Sequence, residues 1–460
     1  MSARLIDSLA TTPAMAALFS DESVLQAMLD FEAALARAEA RSGVIPSQAA
    51  DAITAAARCA KFDVAALADA AFRAGTPAIP LVKMLTDEVR KTNADAARFV
   101  HWGATSQDVA DSAMSLLLKR AEPILIADLL RLEKALASLS ESHKDRIMLG
   151  RTLLQPAPPV TFGLKAAGWF VPVCRGRRNL QKAFLSAAVL QFGGASGTLA
   201  SLGERGTAVA QALSAELGFG DAPVTPWHTQ RDQLATLICA CGVLTGSLGK
   251  MARDISLLMQ NEVGEAAEPG GEGRGGSSTM PNKRNPTACA LTLAAAHRVP
   301  GLVASFLSAM LQEHERGVGG WQAEWPVVAA VVQSTGVAIA SMAEVAEGLS
   351  VDAGKMHLNI ENANGAIFAE RAMMLLGAKL GRDIAHKVVE TAVRKSAQEG
   401  RNLAAILAET PEVATHLNSA ELKDLETPEQ YLGSAEAFRE ALTSDANRKD
   451  ADDRDDDKER

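Results

Sequence analysis

One feature constrains the fold of this chain more than any other: a long apolar periodicity that recurs five times. From Asp108 to about His143, Met114, Leu117, Leu118, Ala121, Leu125, Leu129, Leu132, Leu136 and Leu139 follow one another at i, i+3, i+4 and i+7 spacing. That spacing lays them along one face of a continuous helix. Pro123 falls inside the run and is expected to kink the helix without ending it. Four further segments, roughly 160–190, 229–264, 287–313 and 326–350, are each well beyond the average helix of about 12 residues. In the 229–264 segment Leu234, Leu237, Ile238, Cys241, Leu244, Leu248, Met251, Ile255, Leu258 and Met259 mark one face. Long helices of matching length imply a bundle. Several are apolar on more than one face, as over Val327–Ala340, and must be buried all round, at the bundle centre or against another subunit. An oligomer is therefore expected.

The rest of the chain reads differently. Residues 1–107 alternate short helical patterns with breakers such as Gly43, Pro46, Gly75, Pro77 and Pro80, which predicts a small N-terminal helical domain. Residues 108–352 hold the bundle, and 353–444 return to shorter helices punctuated by Gly365, Gly377 and Gly381. Residues 445–460 are nearly all charged, and a segment of that composition buries too little apolar surface to order itself. The fold class is all-α: hydrophobic residues make up 48% of the chain and aromatics only 4%, a balance that favours close-packed helices.

The same composition narrows the partners. A formal net charge of -9 offers nucleic acid no basic footprint. The five cysteines (Cys59, Cys174, Cys239, Cys241, Cys289) are scattered and odd in number, unlike a disulfide framework, and suit a reducing cytoplasm. Cys239 and Cys241 read as core residues, and no CxxC or HExxH spacing occurs, so neither metal nor cofactor is expected. The N-terminus lacks a basic segment followed by an apolar one, and no apolar stretch is read as long enough to span a bilayer. Secretion and membrane insertion are set aside on these grounds.

Three polar or Gly-rich stretches sit beside the helices, where bundle packing gives no reason for them. The first, His101-Trp102-Gly103-Ala104-Thr105-Ser106-Gln107-Asp108, offers hydroxyls and backbone N–H groups that can hold a carboxylate, although taken alone a plain helix N-cap explains it better. The second, Gly150-Arg151-Thr152-Leu153-Leu154-Gln155-Pro156-Ala157, carries Thr152 and Gln155 as possible anion donors and otherwise reads as an interhelical loop. The third runs from Gly270 to Pro286. It formally contains GxGxxG, but it follows a helix where a dinucleotide site needs a strand, and no Gly-Lys-Ser/Thr closes a P-loop. What remains is a glycine-rich loop carrying Ser277, Ser278, Lys283 and Asn285. Such a loop can close over a ligand and present N–H donors to a developing oxyanion.

Ser277-Ser278-Thr279-Met280-Pro281-Asn282-Lys283-Arg284-Asn285-Pro286 resembles the GSSxMPxKxNP signature of the fumarase/aspartase superfamily, and the first two stretches resemble its other signature regions, in the expected order. The resemblance spans essentially residues 1–435. It implies a homotetramer whose five-helix bundles form a twenty-helix core, with each active site shared between subunits. It also implies roles by position. Ser277 matches the loop serine that moves the proton α to a carboxylate, and Lys283 and Asn285 match residues that hold and polarise that carboxylate. Thr105, Ser106, Thr152, Gln155 and Ser278 match carboxylate-binding positions, His101 matches the histidine of the first region, and Gln230 is a weaker match.

Departures from the signatures point to one branch. Where lyases of the superfamily read Thr-His in the second region, this chain has Leu153, which cannot titrate. After His314-Glu315-Arg316 an adenylosuccinate lyase supplies an arginine for a nucleotide phosphate, whereas Trp321, Gln322 and Trp325 stand here. Both features resemble the cycloisomerase branch, which closes 3-carboxy-cis,cis-muconate into a lactone. The resemblance implies that Lys283 and Arg316 stabilise the charge that develops, with Lys283 and Ser277 equally suited to deliver the proton. Asn282 stands where that branch has His, which leaves a sulfonate analogue open. A β-eliminating lyase of the same fold, and a silent structural protein, are the other readings.

Overall fold

The computed structural model describes residues 5–444, except 272–274, 277–278 and 281–282. Ser277, Ser278, Asn282 and the charged stretch 445–460 lie outside the described residues. The apolar runs fold as helices close to their expected limits. Helix α1 covers Asp21–Arg41, and the five long segments become α2 (Ser106–Ser142), α3 (Phe162–Ala187), α4 (Asp232–Leu258), α5 (Thr287–Ala309) and α6 (Gly320–Gly348). Pro123 lies inside α2 and does not end it. Helix α6 begins six residues before the expected start at 326, because Pro326 is accommodated early in the helix. Near the C-terminus α7 (Ala369–Leu380) and α8 (Arg382–Glu399) meet at Gly381, whose φ of 82° turns the chain.

Two expectations need correction. Residues 147–161 form an antiparallel hairpin of β1 (Ile147–Thr152) and β2 (Gln155–Thr161) where an interhelical loop was expected. Prolines 156, 158 and 159 cannot donate to a ladder, but a two-stranded ribbon asks each strand to pair on one side only. The expectation that no apolar stretch reaches bilayer-spanning length also fails: α4, α5 and α6 are each long and apolar enough by length and composition. Over half of the most apolar window of α4 and of α6 is buried inside the protein, so protein packing accounts for their composition.

The described chain divides into two compact units, each built from several stretches of sequence. The first takes Met1–Leu130, Gly176–Gly249 and Ala290–Ser341. Its core forms around α1, where Leu25, Met28, Leu29, Phe31 and Leu35 are buried with Ile53, Leu81, Leu85, Val89 and, from α2, Val109, Leu116 and Leu117. Ser20 caps α1 by accepting the Ser23 N–H at 3.3 Å. In the same unit α4 and α5 approach closely at Gly249, where an added Cβ would lie 2.6 Å from that of Ala296. A single extra methyl there would force the two backbones apart.

The second unit takes Arg131–Arg175, Lys250–Cys289 and Met342–Arg460. Its core gathers Phe368, Leu376, Val389, Leu403, Leu407 and Leu425 around α7 and α8, joined by Leu149 of β1. The hairpin is anchored close to its tip, where both Nη atoms of Arg151 donate to the fully buried Glu265 at 2.9 and 2.7 Å. Asn359 adds an amide N–H to the same carboxylate at 2.7 Å. Leu149 holds the strand in the core while these charged bonds, one residue pair from the turn, fix the tip.

Candidate active site

In the first unit the start of α2 collects the residues singled out around 101–108. Thr105 stands at the N-cap, and its backbone N–H is taken by Asp108 Oδ2 at 3.0 Å. Asp108 thus closes half of a capping box, and the Thr105 hydroxyl is released from capping. That hydroxyl accepts instead from Nη1 of Arg316 at 2.7 Å, while Arg316 Nε points to Gln107 Oε1 at 3.3 Å. The segment therefore caps the helix through one set of atoms and holds Arg316 through another. Ser106 begins the helix beside them.

Asp108 is fully buried and spends every lone pair it has. It accepts the N–H groups of Gly193 and Gly194 at 3.0 and 2.9 Å and lies 2.7 Å from His228 Nε2. One turn further along α2, Asp111 meets Arg231, the residue before the start of α4. Arg231 is 1% exposed and binds Asp111 through both Nη atoms at 2.8 and 3.1 Å. Its other side holds Glu324 of α6 at 2.9 and 2.6 Å, and its guanidinium lies 4.5 Å over the Trp227 ring. Trp321 Nε1 donates to Asp111 at 3.0 Å and Gln312 Nε2 to Glu324 at 2.6 Å. Burial pushes the Glu324 carboxyl up, and Arg231 pulls against it. Gln107 Nε2, bonded to Asp111 at 3.2 Å and to the His228 carbonyl at 2.8 Å, connects this network to Arg316.

His101 occupies a left-handed turn with φ of 59°, uncommon for a residue with a side chain. Its Nδ1 lies 2.7 Å from Oε1 of Glu32, which α1 carries on its buried face. Burial alone lowers the imidazole pKa, but the Glu32 charge and hydrogen bond, with Asp108 behind them, outweigh it and hold the ring above its usual value. Gln230, by contrast, is exposed beside Trp227 and makes none of these bonds.

In the second unit Thr152 and Gln155 pair across the hairpin tip and are both exposed. The two residues between them, Leu153 and Leu154, are 97% and 76% exposed with φ of 50° and 63°. Two leucines in a turn that favours Asn-Gly store strain at the tip. Lys283 is exposed, its N–H bonded to the Met280 carbonyl at 3.1 Å. Asn285 clamps its own loop: its backbone N–H donates to Gly275 O at 2.8 Å and its side-chain amide to Gly276 O at 3.3 Å. Gly275, with φ of 63°, is required there because a Cβ would lie 2.8 Å from the Asn285 carbonyl oxygen. Glu268 caps the following helix, accepting the Ala288 and Cys289 N–H groups at 3.1 and 2.7 Å.

The structure thus brings His101, Thr105, Ser106 and Arg316 around the start of α2 and sets Thr152, Gln155, Lys283 and Asn285 on two loops of the other unit. Sequence reasoning named Asp108 only as part of the first stretch and missed Glu32, Asp111, His228, Arg231 and Glu324. Glu32 alone left a signal, a carboxylate inside the apolar face of α1. Among the described residues no group of three or more His, Cys, Asp or Glu side chains is arranged to hold a metal. All five cysteines are free thiols, and burial pushes that of Cys241 up to about 12.

Residues 8–301 match the family described as "Lyase", and residues 365–442 match "Adenylosuccinate lyase C-terminus". A 3-carboxy-cis,cis-muconate cycloisomerase of Pseudomonas aeruginosa is 48% identical over 95% of this chain and 95% of its own length. The enzyme of that name from Bradyrhizobium diazoefficiens is 46% identical over 96% of this chain and 98% of its own. The crystal structure of the 3-carboxy-cis,cis-muconate lactonizing enzyme from Pseudomonas putida superimposes with a TM-score of 0.90 at 44% identity, covering 97% of this chain and 99% of that one.

Proposed function

Starting from a chain that belongs to the lyase family of the fumarase/aspartase type, we propose an enzyme that lactonises 3-carboxy-cis,cis-muconate in the breakdown of protocatechuate. An oxygen of one carboxylate adds to the carbon β to a second carboxylate, forming the C–O bond. The π electrons move onto the α carbon and its carboxylate, and a proton then closes the C–H bond. Nothing leaves, which agrees with an untitratable Leu153 where family lyases carry histidine. The charge gathering on the acceptor carboxylate calls for fixed cations and N–H or O–H donors. Arg316, Lys283, Thr105, Ser106, Thr152, Gln155 and Asn285 are assigned to that work, with Ser277 and Ser278 on the same loop as Lys283.

The observation that carries this reading is the near full-length similarity to cycloisomerases at 46–48% identity. It is supported by a guanidinium held on Thr105 and Gln107 beside the first signature region. The reading includes a homotetramer with sites shared between subunits, in the cytoplasm, because the apolar helices expose faces that a second copy would cover: Val243 of α4 is 69% exposed and Leu307 of α5 is 44% exposed. The test is an assay of purified protein against 3-carboxymuconate, 3-sulfomuconate, argininosuccinate, adenylosuccinate and fumarate. Turnover of 3-carboxymuconate is expected to exceed the others. A preference for the sulfonate would favour the second reading, which Asn282 motivates. Elimination from a succinyl substrate without lactone formation would refute both. Light scattering that gave a monomer's mass at micromolar concentration would refute the assembly.

A further inference from the structure

Among the buried charges of the first unit, Glu32 has no structural task large enough to explain it. It is 1% exposed on the apolar face of α1, and only Oε1 is bonded, to His101 Nδ1 at 2.7 Å; Oε2 has no partner. Burying a carboxylate half-satisfied is costly, and a methionine in its place would pack as well. What the carboxylate does is fix a ring. It sets the orientation of His101 and requires a proton on Nδ1. Among the described residues no other hydrogen bond reaches the ring, which keeps 17% of its side chain exposed, in a strained backbone turn four residues before Thr105. Glu39, two turns along the same face, is 0% exposed with neither oxygen bonded. Two buried carboxylates on one face are not both charged, and burial together with the Glu32 charge leaves Glu39 as the neutral member. The charge at Glu32 therefore serves His101 alone.

We propose that His101, held as an imidazolium by Glu32, is the acid that delivers the proton to the α carbon during lactonisation, and that Glu32 is its positioning residue. The step rests on the function proposed above. The Nε2–H bond breaks as the C–H bond forms, the electron pair of the former double bond takes the proton, and the neutral imidazole regains one proton from water per turnover. This assigns the delivery that Lys283 and Ser277 left undecided and leaves Lys283 as a charge-stabilising group. The charged groups acting on the ring are Glu32 from α1 and Asp108 from the start of α2.

The experiment has two readouts. The first is an NMR pH titration of the His101 ring in the wild-type protein and in Glu32→Gln, without substrate. In the wild type His101 is expected to stay protonated above the usual histidine range, and in Glu32→Gln to titrate lower, because burial is then opposed by the charge of Asp108 alone. The second is kinetic. Glu32→Gln should lower kcat about tenfold or more with KM nearly unchanged, and shift the alkaline limb of the kcat profile to lower pH. His101→Gln should lower kcat by about a hundredfold or more and abolish that limb. Glu39→Gln, isosteric with a neutral acid, should leave kcat unchanged. A His101 ring that is neutral at pH 7 in the wild type overturns the proposal without any variant being made. So does a Glu32→Gln protein that folds and keeps both its kcat and its alkaline limb. Absence of 3-carboxymuconate turnover in the wild type would defeat the functional reading instead, and the titration would still report on the pair.

Discussion

Glu39 gives the most quantitative handle on the protein. Its carboxyl is 0% exposed, has no hydrogen-bond partner, and is pushed up to about 9 from the ordinary 4.5, first by burial and then by the charge of Glu32. The folded chain therefore carries a proton at Glu39 that the unfolded chain releases as soon as pH passes 4.5. Between those values the native state binds one proton more, so stability falls as pH rises, by about 1.4 kcal/mol per unit for this group alone. The contribution is fully present below the unfolded value and has cost roughly 3 kcal/mol by pH 7. Glu39→Gln keeps the shape and the neutral charge but cannot titrate. Its offset from the wild type at pH 4.5 is whatever the extra amide hydrogens cost. Above that pH its advantage should grow by about 3 kcal/mol between pH 6 and pH 8. The assay is urea unfolding of both proteins across that range, comparing midpoints at matched concentration so that any assembly contributes equally. A difference between the two proteins that does not change with pH would show that Glu39 is ionised or solvated in the native state, and would refute the reasoning.

Arg231→Met should destabilise the first unit by about 3–5 kcal/mol by stranding Asp111 and Glu324, whereas neutralising all three as Asp111→Asn, Arg231→Met and Glu324→Gln should recover much of it. Thermal or urea unfolding reads this, and a single variant as stable as the wild type would contradict the network. Because the stranded carboxylates take up protons, Arg231→Met should gain stability as pH falls from 8 to 5. Arg316→Met and Lys283→Met should each lower kcat about a hundred- to thousandfold with KM moving only modestly, measured on 3-carboxymuconate; a raised KM at normal kcat would make them binding groups only. Leu153→His should create no lyase activity on adenylosuccinate, because Trp321 and Trp325 still stand where a phosphate-binding arginine is needed.

The long helices were legible because their apolar residues repeat at helical spacing for six turns or more, a signal that survives one proline, as at Pro123. The start of α6 was not: the apolar segment was placed from 326, whereas the helix begins at Gly320 and absorbs Pro326. The hairpin escaped for a different reason: three prolines in seven residues argue against a strand, and what makes β2 a strand is its pairing with β1 and the anchoring of Arg151 on Glu265, 114 residues away. The site divides in the same manner. Thr105, Arg316 and the glycine-rich loop lie in contiguous motifs and could be picked out as strings of residues. Asp111, Arg231 and Glu324 are single residues in three helical regions, and only their meeting gives them meaning. Glu32 was the exception, since a carboxylate at the i+7 spacing of Leu25 breaks the apolar face of α1 in plain view, and Glu39 repeats it.

Two arginines of the first unit, Arg231 and Arg316, are treated oppositely, and the difference separates structure from chemistry. Arg231 is surrounded by two carboxylates and an aromatic ring, so its charge is fully used inside the protein. Among the described residues no carboxylate pairs with Arg316, whose partners are a neutral hydroxyl and a neutral amide oxygen. Those bonds fix its orientation and leave its charge uncompensated. In a chain of net charge -9, an unpaired guanidinium beside a helix start is the harder arrangement to keep, because any nearby carboxylate would bind it. The carboxylates bonded to its partners Thr105 and Gln107 are occupied: Asp108 is saturated by His228 and backbone N–H groups, and Asp111 by Arg231, Trp321 and two glutamines. The buried network thus keeps acidic residues away from Arg316 by satisfying them elsewhere, and the cation is left for the carboxylates of a substrate.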